Sequence, residues 1–395
     1  MPTSPLTLTQ TIQAAPSAVY RALTTPGGLL DWLAQACDVD ARLGGRFYVW
    51  AEKGPHMLGK ISALEKDSCL ALDLLAPTDG HLSITLTPQN DTTLLTFEQT
   101  PFATDADQDT ARIQWTAALA NLQAVLETGL DPRFYNRPMM GILISGRVEK
   151  ETQERLHLAL DYGILLGGTL PGMDAERLGL ADGDILVEME GQPIKNYEEI
   201  GQVLEGRTAG ETIHLAWYRG KARHEADMIL SGRPHPHLPA TFAELAEEAR
   251  QIYASLDGEL TEILANVSET AAEYRPLETE WNAKEIIAHL IHTERAMQIW
   301  LVNAVDGAPF THWTTNNHNI VKSIVDVTPT LPELLDELRR AEAQTVALLQ
   351  RLPEETVTHK GTFHNIVTTL NQEGLSVHTR LHFETIKRLV DEVMK

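Results

Sequence analysis

Histidines supply the clearest candidate chemistry in this sequence, because three of them have the arrangement of metal ligands. His378 and His382 stand four residues apart in a segment whose apolar pattern predicts a helix. Residues at i and i+4 share one helix face, about 6 Å apart, so two imidazoles there can chelate one ion. His289, in a separate predicted helix, can supply a third nitrogen. Three neutral imidazoles with one open coordination position are typical of catalytic zinc, and imidazole also suits nickel or iron.

The His-x-x-x-His spacing does not establish a metal site by itself. Position 379 is Thr, so the run lacks the glutamate of a metalloprotease helix. His292 lies one turn after His289 and is either a spare ligand, an acid or base beside the site, or a packed histidine. Glu294 is expected on the surface. No ligand spacing is found for four further histidines, which are His312, His318, His359 and His364.

The segment that carries these histidines has a helical pattern throughout. Its predicted helices cover about residues 242–266, 282–303, 331–351 and 366–394. Asn282 and Glu285 have the spacing of an N-cap pair at the start of the second helix. Gly374, inside the last predicted helix, has no explanation in this pattern. The pattern predicts a four-helix bundle for residues 240–395, with a long connection between the second and third helices.

Two phrases of this segment, WNAKEIIAHLIHTE and GLSVHTRLHFETIKR, are similar to the DinB and mycothiol-maleylpyruvate isomerase superfamily. Members of that superfamily have a Trp-opened helix bearing His-Leu and a final helix bearing His-x-x-x-His. The resemblance implies His289, His378 and His382 as the ligands of a divalent metal, which would be zinc, nickel or iron. The alternative is an ancestral site that persists only as histidines of the bundle.

Residues 135–233 follow a different pattern, in which short strands alternate with glycine turns. The phrase GILLGGTLPGMDAERLGLADGDILVEMEGQPI contains a Pro-Gly turn, a small helix, Gly-Leu, Gly-Asp and an aliphatic strand. This order resembles bacterial PDZ domains, which bind a protein C-terminus as an added strand. The resemblance implies that Met139, Met140, Gly141 and Ile142 form the loop that holds the carboxylate. The alternative is an ordinary strand that enters the domain.

Residues 1–134 begin with a strand and a short helix, continue with short strands, and end with a helix over about 109–127. This order predicts a helix-grip. The phrases QAAPSAVYRALTTP, DARLGGRFYVW and WTAALANLQAVLETG resemble the START-like (SRPBCC) superfamily, especially its branch named for activators of the heat-shock-protein ATPase. The resemblance implies a cavity between sheet and long helix that holds an apolar small molecule. For Trp32, Trp50 and Trp115, plain core packing is the alternative.

Composition limits the setting in which these segments work. The net charge of −23 over 395 residues would repel a phosphate backbone, so no nucleic-acid partner is expected. The sequence has no apolar run of about 18 residues, and its start lacks the basic and apolar blocks of a signal peptide, so no membrane partner is expected. Cys37 and Cys69 are too few for a disulfide framework. These features favour a cytoplasmic protein.

The sequence therefore predicts a multidomain α+β plus all-α protein: a START-like helix-grip at 1–134, a β-barrel-like PDZ domain at 135–233 and a DinB-like four-helix bundle at 240–395. Because the patterns differ and a proline-rich stretch lies at 232–239, we expect the three segments to fold independently. The expected function is binding of an apolar ligand, a protein C-terminus and a divalent metal. The alternative is a metal-dependent hydrolase or thiol transferase of the DinB type.

Overall fold

The structure is a computed structural model that describes residues 4–51, 54–148, 150, 153, 160–278, 280–309, 317–371 and 375–394. It divides into two compact units. One unit joins residues 1–130 with residues 236–395, and the other, called the middle unit here, contains residues 131–235. The domain boundaries drawn from the sequence stay predictions. The first and last predicted segments, however, share one compact unit, whose two parts are called the N-terminal domain and the helical domain.

The N-terminal domain is an antiparallel sheet with three helices. Its strands are β1 (Leu6–Ile12), β2 (Ala36–Val39), β3 (Arg46–Trp50), β4 (Met57–Glu65), β5 (Cys69–Ala76), β6 (Gly80–Gln89) and β7 (Thr92–Thr100), and its helices are α1 (Pro16–Thr24), α2 (Pro26–Trp32) and α3 (Asp105–Thr128). The strand order is β1-β7-β6-β5-β4-β3-β2. Buried and exposed residues alternate along β1 and β3, because only one sheet face meets the helices. The predicted mixed α+β architecture is confirmed.

The long helix α3 closes this domain. The Thr104 side chain accepts a hydrogen bond from the backbone N–H of Asp107, which satisfies a free donor at the start of the helix. Gly129 ends the helix with a φ of 80°, a conformation that a side chain would disfavour. The ring of Trp115 on α3 lies 4.4 Å from that of Phe97 on β7, centroid to centroid. The helix is therefore packed directly onto the sheet.

The middle unit is a second, separate sheet. Its elements are α4 (Pro132–Tyr135), β8 (Ile142–Arg147), β9 (Ile164–Thr169), α5 (Asp174–Arg177), β10 (Ile185–Met189), β11 (Gln192–Pro193), α6 (Tyr197–Leu204), β12 (Thr212–Arg219) and β13 (Ala222–Ile229). The strand order is β13-β12-β10-β9-β8, with β11 paired to β10. Asn196 and Glu199 form a capping box at the start of α6. Strand β8 lies at one end of the described sheet.

The helical domain contains four long helices and four short elements. They are α7 (Phe242–Ile263), α8 (Glu269–Ala272), α9 (Ala283–Val305), α10 (His318–Val327), α11 (Leu331–Leu349), a 3-10 turn (Glu354–Thr358), α12 (Lys360–Leu370) and α13 (Leu375–Met394). Helices α7 and α9 each pack against both α11 and α13. No helix in the described ranges is long and apolar enough to cross a membrane.

The prediction of one last helix over about 366–394 is wrong. Helix α12 begins earlier, at Lys360, and ends at Leu370, because Asn371 is in an extended conformation with ψ of −179°. A second helix, α13, begins at Leu375. Gly374 lies outside the described residues. The pair His378 and His382 therefore lies in the first two turns of its own helix rather than in the middle of a longer one.

Candidate functional site

Helix α9 places the first candidate ligand in the interior of the helical domain. Asn282 and Glu285 form the predicted capping box, in which each side chain accepts from the other residue's backbone N–H. This cap fixes where the helix begins and therefore which face each later residue occupies. His289, two turns on, is 1% exposed. Its ring faces α13.

The three predicted histidines converge. The Nε2 atom of His378 lies 3.4 Å from Nε2 of His289 and 3.2 Å from Nε2 of His382. One ligand atom from each ring lies within 4.8 Å of the other two. His378 and His382 are half-buried, whereas His289 is buried. The arrangement therefore points three nitrogens at one place that is closed on the α9 side and partly open on the α13 side.

These distances suit a shared metal ion. Nitrogens at about 2.1 Å from one ion are about 3.0 Å apart at right-angle coordination and about 3.4 Å apart at tetrahedral coordination. The observed 3.2 and 3.4 Å fall within that interval. Without an ion, two neutral imidazoles that face each other need one N–H to donate, because two lone pairs repel. A bound cation would remove this requirement, because each of the three rings could direct a nitrogen lone pair at it.

The surroundings of His378 and His382 favour the neutral imidazole, which ligation requires. Burial lowers the pKa of His378. Burial, followed by the charges of His289 and His378, lowers the pKa of His382 to about 4. The Nδ1 atom of His378 is buried and has no hydrogen-bond partner in the described part of the chain. A ligating histidine usually donates from its second nitrogen, and the described residues offer Nδ1 of His378 no acceptor for that bond.

Trp281 and His318 lie beside the cluster, although no sequence pattern indicated this position for either residue. The indole ring of Trp281 lies 5.0 Å from the ring of His289, and its Nε1–H donates to Nδ1 of His318 at 3.0 Å. Accepting that bond leaves the proton of a neutral His318 on Nε2. His318 begins α10, 37 residues after Trp281, so no local spacing could have indicated the contact.

The prediction for Glu294 is wrong, since its side chain is 4% exposed rather than on the surface. It accepts hydrogen bonds from the hydroxyls of Tyr253 and Thr345. His292 is half-buried and outside the three-nitrogen cluster. His312 lies outside the described residues. The remaining histidines named above do not join the cluster.

In the middle unit, the predicted carboxylate loop lies where β8 begins. Met139 pairs with Ser231 as an antiparallel bridge, with both backbone bonds at 2.8 Å. Met140 is 4% exposed, and Ile142 is the first residue of β8. Gly141 has a φ of 76°, and a Cβ there would lie 2.5 Å from that of Met173. A glycine is therefore required at this turn.

Where the sequence predicts an apolar cavity in the N-terminal domain, the described residues form a small pocket between the sheet and the helices. Its volume is about 10 Å³, which is no more than one small molecule such as water needs. Trp32 and Trp115 help to fill it and are 1% and 4% exposed, so they pack in the core. Trp50 is 43% exposed and faces away. An apolar ligand would therefore have to displace packed side chains.

Comparisons with known proteins give families for two parts of the chain. Residues 13–127 match the family described as Activator of Hsp90 ATPase homolog 1-like protein, abbreviated AHSA1. Residues 253–386 match the DinB superfamily. Solved structures similar to the chain include the Aha1 dimer from Colwellia psychrerythraea, at 20% identity and a TM-score of 0.29, covering 32% of this chain and 97% of that one. An HSP90 activator from Plasmodium falciparum is 13% identical with a TM-score of 0.28, covering 31% and 95%.

Curated relatives match a shorter share of their own length. A "Probable periplasmic serine endoprotease DegP-like" from Marinomonas sp. (strain MWYL1) is 31% identical over 117 residues, which is 30% of this chain and 24% of that protein. A "Probable periplasmic serine protease do/HhoA-like" from Haemophilus influenzae is 29% identical over 109 residues, or 28% and 22%. The chain thus spans about a quarter of these relatives. The chain therefore contains an AHSA1-like domain at residues 13–127 and a DinB-like domain at residues 253–386.

Proposed function

We propose that the protein binds a divalent metal in its DinB domain, through Nε2 of His289, His378 and His382. The observation that carries this proposal is the convergence of the three nitrogens at 3.2 and 3.4 Å. Zinc, nickel and iron all accept imidazole ligands. The four long helices form a four-helix bundle in this proposal, with the ligands drawn from two neighbouring helices.

The alternative is that the three rings are simply packed together inside the bundle. Two features argue against it. An apolar side chain would fill the same space without burying polar nitrogens, and Nδ1 of His378 is already buried without a partner among the described residues. Packing would not require three nitrogens of different residues to point at one another, which ligation does.

The metal would give the bundle Lewis-acid chemistry. The chain's own residues would hold it from one side, and half-exposed His378 and His382 leave an approach for an outside ligand. This exposure favours a metal-dependent hydrolase or thiol transferase of the DinB type as the second candidate. Among the described residues, Trp281 would hold the ring of His289 and orient His318 at the margin of the site.

Metal content of the purified protein tests the proposal. We expect one divalent ion per chain by elemental analysis, and loss of that ion in His378→Ala. His292→Ala is the matched control, because it removes a half-buried histidine one turn from His289 without removing a converging nitrogen. Equal metal content of His378→Ala and His292→Ala would exclude the site. The site would also be excluded if the parent protein and the His292→Ala control bind no metal when it is added back.

We also propose that the middle unit is a PDZ-like domain that binds a protein C-terminus. The strand β8 lies at one end of the described sheet, so its outer edge can accept an added strand. The residues before it, Met139, Met140, Gly141 and Ile142, would hold the terminal carboxylate. Ile200 and Val203 on α6 belong to the same core cluster as Met140, which supports a groove between this helix and β8.

Comparing peptides with free and amidated C-termini distinguishes recognition of a terminal carboxylate from other kinds of peptide binding. We expect weak binding of free-carboxylate peptides to the full chain and little binding of the same peptides when amidated. Gly141→Trp should abolish the binding. Gly191→Trp, at a turn with a similar φ of 75° and no neighbour within 4 Å, should keep it. Equal binding of free and amidated peptides would contradict a carboxylate loop.

AHSA1-like domains bind small apolar ligands or chaperone partners, and either role for residues 13–127 is a proposal here. A ligand held between sheet and helices would need the closed interior to open. We therefore place apolar-ligand binding after metal binding among the functions of this chain. Calorimetric titration of the full chain with medium-chain fatty acids tests it, and the absence of any binding heat at two well-separated temperatures would exclude that ligand class.

A further inference from the structure

Arg21, near the end of α1, connects the AHSA1-like domain to the end of α9. Its Nη2 donates to the carbonyl oxygens of Ala304 and Val305, both at 2.9 Å, and its Nη1 donates to Oγ1 of Thr362 at 3.1 Å. The last carbonyls of a helix lack partners within the helix and carry partial negative charge. The guanidinium of Arg21 therefore caps the C-terminus of α9 from another domain.

Asp31 on α2 makes the reciprocal contact with α12. Its two carboxylate oxygens accept from Oγ1 of Thr362 at 3.2 Å and from Nδ2 of Asn365 at 2.8 Å. The ammonium group of Lys360 donates to the carbonyl oxygen of Glu127 at the end of α3. Polar groups from α1, α2 and α3 are thus satisfied by one face of the helical domain, which is the pattern of a built interface rather than of two surfaces that happen to touch.

Glycines bring the two backbones into direct contact at this interface. The N–H of Gly27 donates to the carbonyl oxygen of Gly307 at 2.8 Å. A Cβ added at Gly27 would lie 2.9 Å from the carbonyl oxygen of Ala308, and one at Gly361 would lie 2.7 Å from Cγ1 of Val125. Side chains at these positions would hold the domains apart, so the close approach depends on glycine.

The chain enters and leaves the middle unit at neighbouring positions. Met139 and Ser231 form an antiparallel bridge near its two ends. Before and after that bridge, the rings of Tyr135 and His235 lie 5.5 Å apart, and the guanidinium of Arg233 lies 4.1 Å from the ring of Phe134. Ends that lie close together are what allows one domain to be inserted into a loop of another.

We infer that the AHSA1-like domain and the DinB domain are docking partners within this chain and form one body, into which the middle unit is inserted. The surface of α1 and α2 that carries Arg21, Gly27 and Asp31 is the docking site. Its partner is the face formed by the end of α9 and by α12. This inference replaces the expectation that three segments fold independently, and it does not depend on whether a metal binds.

Cleavage of the intact chain at both connections tests the inference. Site-specific protease sequences are inserted between Leu130 and Asp131 and between His235 and Pro236, which are the boundaries of the two units. The folded full-length protein is then cleaved and captured through a C-terminal affinity tag. We expect residues 1–130 to be retained in a one-to-one ratio with residues 236–395. Loss of residues 1–130 would overturn the inference.

Two matched pairs of variants test the residues of the interface. Gly361→Val should lower retention of residues 1–130 at least tenfold, whereas Gly258→Val, in α7 with no neighbour within 4 Å, should not. If Gly361→Val does not fold, Arg21→Met is compared with Arg46→Met, whose arginine pairs with Asp38 on the exposed side of the same domain. Equal retention of residues 1–130 within the pair that is measured would show that this surface is not the docking site.

Discussion

The hydroxyl of Tyr253 on α7 donates to the carboxylate of Glu294 on α9, at 3.1 and 3.0 Å from its two oxygens. The pair lies inside the helical domain, with the Thr345 hydroxyl also donating to Glu294 at 2.8 Å. Burial raises the pKa of Glu294 to about 7. Burial and the charge of Glu294 raise the pKa of Glu342 to about 8. The interior thus contains two carboxyl groups that retain protons where ordinary ones do not.

The first prediction concerns stability against pH. The unfolded chain releases the proton of Glu294 near pH 4.5, whereas the folded chain keeps it up to about pH 7. The contribution of this group to the free energy of unfolding is therefore complete below pH 4.5 and declines as pH rises to 7, by roughly 2–4 kcal/mol. Denaturant titrations of Glu294→Gln should show a smaller decline than the parent protein, because Glu342 still makes its own contribution. Glu384→Gln, at an exposed position of α13, should keep the full decline.

Acid release of the proposed metal is the second prediction. The pKa of His382 is lowered to about 4 and that of His378 is lowered as well, so protons compete with the ion only well below the ordinary histidine value of about 6.5. We expect the ion to remain bound at pH 6 and to leave as pH falls towards 4. Metal retained after dialysis at each pH is the measurement. Rebinding after return to pH 7 shows that release does not require irreversible unfolding, and complete loss already at pH 6 would contradict the environment described here.

The third prediction follows from the closed interior of the AHSA1-like domain. Leu72 on β5 is 1% exposed, so Leu72→Ala should lower the free energy of unfolding by about 2–5 kcal/mol and leave an apolar cavity. Benzene should bind to the variant and recover part of the loss, but it should not stabilise the parent protein. Leu43→Ala, at a position 65% exposed, should change stability little. Stabilisation of the parent protein by benzene would show that the interior is already open to ligands.

A fourth prediction concerns the start of α9. Asn282→Ala removes the acceptor for the Glu285 N–H and should lower the free energy of unfolding by about 1 kcal/mol. Asn303→Ala makes the same change at an exposed position within the helix and should leave stability unchanged or slightly higher, because alanine favours helix. Thermal or denaturant unfolding of both variants is the measurement. Equal effects of the two substitutions would mean that the capping box is unimportant in solution.

The sequence was most informative where chemistry depends on neighbours along the chain. The Asn282 to Glu285 spacing predicted a helix start that is present, and the His378 to His382 spacing predicted two nitrogens on one face that do converge. Both features follow from the repeat of a single helix. The strands of the N-terminal sheet were also predicted from a local pattern, because short strands separated by turn residues can be recognised along the chain.

Features that depend on distant residues were missed. Glu294 was expected on the surface, because α9 is apolar on more than one face and the 3.6-residue repeat cannot then show which side is outside. The break between α12 and α13 was missed although Gly374, which a continuous helix leaves unexplained, was an available signal in the sequence. Arg21 meets Ala304 across 283 residues, and no composition or spacing rule reports such a contact.

The bridge between Met139 and Ser231 has a practical consequence for engineering. Residues paired in this way through two backbone bonds have Cα atoms only about 5.5 Å apart. A turn of two or three residues therefore spans the gap, and a shortened gene that joins the flanking segments through such a turn would encode a protein without residues 140–230. The same two positions would accept another domain with adjacent ends, while the rest of the molecule keeps its sequence.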